Sequence, residues 1–304
     1  MRDAAAMPAH AVPNNRHRPG DRRGRTILDW CRQFSAGFAV LLFTLVAIAG
    51  PLLIPYDPLV ISLGDRVKPP GAVLTDGSRA WLGTDQVGTD VLAQVVQGAR
   101  ISLLVGVATI SIAGFAGLVI GVIAGYFGGF LDALLMRLAD VQLAFPSILF
   151  AILIASVLGP SVVNVIVTLS ITRWVIFARV ARSSTLVARE RDFVVAARAL
   201  GATDRQLLIR HIVPFTLAPF LILTTLEMGL AIIAEASLSF LGLGTPPDQP
   251  SWGLTIANGR DYLSTAWWVT TMPGIALSLF VLSLGLLGDQ LRRALDPRAA
   301  ARRV

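Results

Sequence analysis

Charged side chains are absent from three long stretches of this chain, 33–56, 101–131 and 141–172. Crossing a bilayer takes about 20 apolar residues, so each run predicts at least one membrane span. The first predicts a span over 36–56, bounded by Pro51 and Pro55. The second predicts a span over 101–124. The third is too long for one helix and is interrupted at Gly159-Pro160, which predicts spans near 135–158 and 161–179. Two further apolar stretches, one near 215–240 that contains Glu227 and Glu235 and one near 268–288, bring the expected total to six. No internal repeat is visible by inspection. Residues 1–35 are polar and arginine-rich, with Pro8, Pro13, Pro19, Gly20 and Gly24 breaking any long helix. They predict a partly disordered tail leading into the first span by a short amphipathic segment. That long polar lead also argues against a cleaved leader, despite the small residues Ala47 and Ala49.

Between the fourth and fifth spans the pattern changes. In the loop 182–214, Phe193, Ala197 and Leu200 recur at i, i+4 and i+7, predicting one apolar stripe on a short helix. Gly201 supplies the left-handed position that ends such a helix. Thr203 and Gln206 form a capping box for a second helix, whose predicted packing face holds Leu207, Leu208, His211 and Ile212. Pro214 is expected to stop or kink it. Pattern alone leaves two readings open: a partner-docking surface, or an amphipathic connector lying at the lipid headgroups.

Composition agrees with the spans. Of 304 residues 54% are hydrophobic and 15% charged, against roughly 25% charged in a soluble domain, so the chain reads as an all-α polytopic membrane protein. The single Cys31 rules out an intramolecular disulfide, and three scattered histidines offer no zinc-type cluster. Lys68 is the only lysine, and it lies in RVKPP without a glycine-rich turn, so this chain carries no Walker-type ATP site. No nucleophile sits beside a base in any pattern that suggests an enzyme.

The net charge of +7 does not point to nucleic acid, because little chain remains outside the spans. It follows the spans instead. Twenty arginines fall on the side of the two termini and the 182–214 loop. Five basic residues, Arg66, Lys68, Arg79, Arg100 and Arg260, fall on the other. The asymmetry predicts both termini in the cytoplasm and 57–100 as an extracytoplasmic loop. It also predicts a short cytoplasmic tail at 291–304. Trp252, Trp267 and Trp268 are then expected as interfacial anchors.

Intramembrane charges are functional candidates by default. On these span limits Glu227 lies roughly 16 Å and Arg173 roughly 10 Å from the cytoplasmic side. They are candidates for an ion pair locking two helices; equally, each could face water in a transport path. Glu235 falls near the outer end, where solvation is expected. A stand-alone secondary transporter using Asp140, Arg173, Glu227 and Glu235 is the alternative function, though such proteins usually show internal repeats.

Several segments resemble one family in order and spacing. FVVAARALGATD at 193–204, followed by RHIVP at 210–214, resembles the cytoplasmic EAA loop of ABC-importer permeases. The match is nearest to the dipeptide/oligopeptide/nickel permeases. LGTD at 82–85, GARISL at 98–103, EASLSFLGLG at 235–244, PSWG at 250–253, LGD at 287–289 and LDPR at 295–298 agree. The set looks like the second, C-type permease subunit, with a type I (MetI-like) fold and the importer core at 101–290.

The resemblance implies a heterodimer with a sister permease, two ABC ATPase subunits and an extracytoplasmic substrate-binding protein. It implies ATP and Mg bound by the ATPases and none by this chain. It also implies a bacterial inner-membrane location. The ATPase contact would fall on Ala196, Ala197, Arg198, Gly201, Thr203, Asp204 and Arg205. Three positions depart from the family pattern. Val195 replaces the EAA glutamate, Thr89 replaces an arginine in the 83–90 segment, and Arg173 stands where a small residue is usual.

Overall fold

A computed structural model describes the backbone of residues 25–54 and 61–295, with side chains from Ala36 onward. The expectations for 1–24 and for the tail beyond Leu295 lie outside the described residues. Helix α1 (Arg25–Leu53) absorbs the amphipathic lead-in and the first span. A loop segment follows, carrying a two-stranded hairpin, β1 (Ala72–Val73) and β2 (Arg79–Ala80), in antiparallel register. Helix α2 (Val91–Phe127) starts ten residues before the apolar run, so the expected loop 57–100 gives way to helix from Val91 onward. The Asp90 carboxylate caps α2 by accepting from the Leu92 N–H at 2.7 Å.

The expected third span is broken. Helix α3 (Gly129–Leu143) and helix α4 (Ser147–Leu158) meet at 87°. Pro146 is the cause. It cannot donate to the Gln142 carbonyl, and it drives Phe145 away from helical backbone. Helix α5 (Val162–Arg189) follows, then the short α6 (Asp192–Ala199) and α7 (Asp204–Leu207). Pro214 does not end the next helix. A π turn at Leu208–Ile212 precedes it, with the Val213 N–H reaching the Leu208 carbonyl five residues back. The chain then runs on through α8 (Val213–Phe240). After α9 (Trp252–Gly259), helix α10 (Trp267–Leu295) carries the final span and extends past the expected end. Among the described residues five helices are long and apolar enough to cross a membrane, or six with the bent α3–α4 pair as one broken span.

The most intimate pairing is α2 on α5. In lipid, helices are drawn together by close van der Waals packing rather than by a hydrophobic drive. Gly117, Gly121 and Gly125 form a stripe at four-residue spacing. A Cβ on Gly121 would sit 2.2 Å from the Ala178 carbonyl oxygen, and one on Gly117 would sit 2.4 Å from Phe177 Cβ. Ala178 and Ala181 supply the matching small face of α5 and are fully buried. This pairing runs from the loop-and-α9 end of the bundle, the cap end, to the α6–α7 end, the hairpin end. Helices α1 and α10 bring both described termini to the hairpin end, with Gly37 beside Leu287.

Candidate functional site

The hairpin is built from local chemistry. At the end of α6 the Ala202 N–H donates to the Ala197 carbonyl and the Gly201 N–H to Arg198, which is the Schellman pattern. It requires a left-handed residue, and Gly201 has φ of +87°. The Thr203 N–H donates to Gln206 Oε1 at 2.9 Å, and the Gln206 N–H returns a bond to Thr203 Oγ1 at 3.4 Å. Two short helices are thus joined by a turn with its own hydrogen bonds satisfied.

The face that packs is not the expected stripe. Val194, Leu207 and Ile212 are fully buried against Val122, Tyr126, Ala181 and Ala188, with Ala197 partly buried beside them. Phe193 is half exposed, with its ring near those of His211 and Phe215, and Leu200 is 90% exposed. In an eight-residue helix adjacent stripes differ by one position, and the one that meets α2 and α5 is centred on Val194. The outward surface therefore holds Val195, Ala196, Ala199, Leu200 and Gly201, with Thr203 and Arg205 also exposed. Of the candidate residues, Arg198 and Asp204 turn back toward the bundle. The Tyr126 hydroxyl donates to Asp204 Oδ1, and the Arg198 guanidinium lies 5.9 Å from the Tyr126 ring centre.

Ion pairs join the surrounding helix ends. Arg182 makes a two-pronged contact to Asp132, with Nη2 to Oδ2 at 2.6 Å. Arg179 pairs with Asp140, both half exposed, and Arg189 donates to the Gly125 carbonyl at 3.1 Å. Nothing in the local sequence marks Tyr126 or Asp132 as site residues. No local signal links Tyr126 to a partner 78 positions away.

Within the bundle, Arg173 Nη1 stands 2.6 Å from Glu227 Oε2, and Nη2 donates to the Leu230 carbonyl at 2.9 Å. Glu227 is 4% exposed. Arg173 Nε is buried without a partner among the described residues. Nearby, Gln142 accepts from Trp174 Nε1 at 2.9 Å and donates to the Ile171 carbonyl at 2.8 Å, holding the broken span against α5.

At the cap end Glu235 is fully buried rather than solvated. It accepts from Ser102 Oγ at 3.0 Å and from Ser239 Oγ at 2.7 Å. Ser239 Oγ in turn accepts from the Thr245 N–H, and Ser251 Oγ caps α9 by accepting from the Leu254 N–H. Ser251 and Ser239 hydroxyls lie 3.2 Å apart. The backbone N–H groups can only donate, so the Ser251 hydroxyl is left to donate to Ser239 Oγ and the Ser239 hydroxyl to the Glu235 carboxylate. Gly244 and Gly253 let the loop and α9 reach this site. A Cβ at Gly253 would sit 2.4 Å from Ala236 Cα. The EASLSFLGLG and PSWG motifs therefore describe one buried junction.

Two of the expected tryptophan anchors belong to the interior. Trp252 is buried, donates to the Val95 carbonyl at 2.9 Å and packs on Phe43 and Phe280. Trp268 is buried and donates to the Thr84 carbonyl at 3.1 Å, whereas Trp267 is half exposed. In the connecting loop, Asp65 accepts from Lys68 Nζ, Ser62 Oγ and Thr75 Oγ1. The Lys68 ammonium, then the two hydroxyls, hold its carboxyl well below the usual carboxylate range. Asp85 accepts from the Thr89 N–H and from Gln94 Nε2, fixing the turn into α2. Among the described residues no group of three or more His, Cys, Asp or Glu could hold a metal.

Comparison with known proteins follows the same geometry. The family described as "Binding-protein-dependent transport system inner membrane component" matches residues 117–301. The dipeptide transport system permease protein DppC of Alkalihalophilus pseudofirmus is 40% identical over 84% of this chain and 82% of its own length. The glutathione transport system permease protein GsiD of Pectobacterium atrosepticum is 38% identical over 87% and 86%. Among solved structures, a chain of the inward-facing MetNI methionine ABC transporter shares the fold. Its TM-score is 0.52 at 20% identity, covering 67% of this chain and 96% of that one. With a junction at each end of a glycine-packed membrane bundle and this kinship over most of its length, the chain belongs to the family of binding-protein-dependent transport system inner membrane components.

Proposed function

We propose that this chain is one permease subunit of an ABC importer for di- or oligopeptides in the bacterial inner membrane. It forms the path with a sister permease, and a substrate-binding protein delivers the cargo at the cap end. Both termini and the hairpin face the cytoplasm, in line with the arginine asymmetry. ATP and Mg are bound by two ATPase subunits, because this sequence has no phosphate-binding lysine loop. The observation that carries the reading is the hairpin itself. Its inner face is buried on α2 and α5 while Ala196, Leu200 and Gly201 stand outward on the self-capped turn, exposed among the described residues. A capped helix pair tied to α2 through Tyr126 transmits a push from an ATPase better than a loose loop. Val195 in place of the family glutamate leaves an apolar docking surface there.

The relatives named for dipeptide and glutathione transport support a small peptide as cargo. The Arg173–Glu227 pair is read as a lock between α5 and α8. The test is uptake of a labelled dipeptide in cells expressing the whole system. Uptake that stops when the ATPase Walker lysine is changed supports the proposal. Uptake by proteoliposomes holding this chain alone would establish the secondary-transporter alternative instead.

A further inference from the structure

The apolar groove between α1 and α2 takes no part in the reading above. Ala47, Ile48 and Leu52 form one wall, Leu104 and Ala108 the other, and Arg100 stands at one end; the groove encloses about 560 Å³. Its depth follows from the helix contacts. Ala47 packs in one cluster with Ala99, and Gly50 lies against Val96. Arg100 is therefore level with a turn of α1 some six residues before Leu53, where the apolar stretch ends. At 1.5 Å per residue that is roughly 9 Å inside it.

A guanidinium at that depth is costly unless it is paired or reaches the interface. Arg173 meets Glu227. Arg100 has no ion pair or hydrogen bond among the described residues, and it is exposed. Its side chain is long enough to extend from this level toward the headgroups. The planar guanidinium matches a phosphate in a two-pronged contact. Below it, Arg100, Leu104 and Ala108 form one stripe at four-residue spacing, an apolar track roughly 12 Å long. A free inorganic phosphate would use the arginine and leave the track empty. A phospholipid uses both.

We propose that this groove is a phospholipid site, with the lipid phosphate on Arg100 and one acyl chain along Leu104 and Ala108. The proposal needs only that these helices cross a membrane and does not depend on the transport reading. It also accounts for Arg100 within the GARISL segment, whose Ser102 goes to Glu235 and whose Gly98 goes to Trp252.

The experiment is native mass spectrometry of the full chain with its co-purifying subunits, delipidated and titrated with phosphatidylglycerol or with a diacylglycerol of the same chains. One retained phosphatidylglycerol per chain is expected, with retention at least tenfold lower for diacylglycerol. Arg100→Gln should lower phosphatidylglycerol retention about tenfold, and Ala108→Trp, which fills the track, should lower it independently. Arg100→Lys should keep an intermediate level. Unchanged thermal stability and subunit recovery identify folded variants. Equal retention of both lipids would overturn the assignment of the phosphate to Arg100. Retention unaffected by both Arg100→Gln and Ala108→Trp would overturn the site. A disulfide from Leu104→Cys to a neighbouring subunit would overturn it by making the groove a protein seam.

Discussion

At the hairpin end, charged side chains with partial access to solvent hold α2, α3, α5 and the α6–α7 pair together. At the cap end, glycine-backed contacts and hydroxyl groups around a buried carboxylate hold α8, α9 and the loop between them. Pairs such as Arg179–Asp140, half exposed on both sides, are worth about 0–1 kcal/mol and can be broken and remade. A buried network cannot be opened without leaving donors unpaired, at about 1–3 kcal/mol each. The same fold thus has one end suited to movement and one suited to holding shape. The Arg173–Glu227 pair sits between them.

The largest effect is expected at the cap end. Gly253→Ala places a methyl group 2.4 Å from the Ala236 backbone, where no side chain can move aside. Little assembled protein should reach the membrane, as read by detergent-solubilised yield. Next comes the middle of the bundle. Arg173→Ala leaves the buried Glu227 without its partner, which should cost about 3–5 kcal/mol and appear as a lower melting temperature. Exchanging the two charges, Arg173→Glu with Glu227→Arg, should recover more assembly than either single reversal. Recovery no better than the singles would remove the pair from the account.

Glu235→Ala should cost roughly 2 kcal/mol or more, since Ser102 and Ser239 lose their acceptor. Glu235→Gln should recover much of it: its amide oxygen can accept from Ser239, and the Ser102 hydroxyl is free to rotate. A Gln variant as poor as Ala would mean that the charge itself is required. Smaller effects are expected at the hairpin end. Tyr126→Phe should cost about 1 kcal/mol and reduce transport more than it reduces stability. Asp140→Asn should change melting by less than about 1 kcal/mol equivalent.

The connecting loop offers a pH test of the cap. The Asp65 carboxyl is depressed in the folded state by Lys68 and its hydroxyl donors. Its contribution is therefore present above the unfolded carboxylate value of about 4 and is lost only as pH falls below that toward the folded value. Proteolysis within 61–90 should be unchanged between neutral pH and about pH 4.5, and Asp65→Asn should expose the segment already at neutral pH.

Much of this was legible in the sequence because it is local. Apolar runs mark the membrane helices, α8 among them despite Glu227 and Glu235. Gly201, Thr203 and Gln206 announced the hairpin, since caps and left-handed turns depend on residues three or four apart. The break at Pro146 was hidden inside an uncharged run, where hydropathy carries no information about direction. Trp252 and Trp268 read as interfacial because composition averages cannot see a short helix folded back into the bundle. Glu235 read as solvated because its partner Ser102 is 133 positions away. The packing stripe of α6 falls on Val194 rather than on Phe193 and Leu200, because eight residues are too few to separate neighbouring stripes.

The central claim is that the outward face of the α6–α7 hairpin receives force from an ATPase. Single cysteines at Leu200 on the hairpin and at Leu263 on the cap end, each in a Cys31→Ser background and cross-linked in intact membranes of cells expressing the whole system, test it directly. The account predicts that Leu200→Cys traps a nucleotide-hydrolysing subunit while Leu263→Cys does not. Labelling of Leu200→Cys by a membrane-impermeant reagent added outside intact cells, or an ATPase trapped from Leu263→Cys, would contradict it.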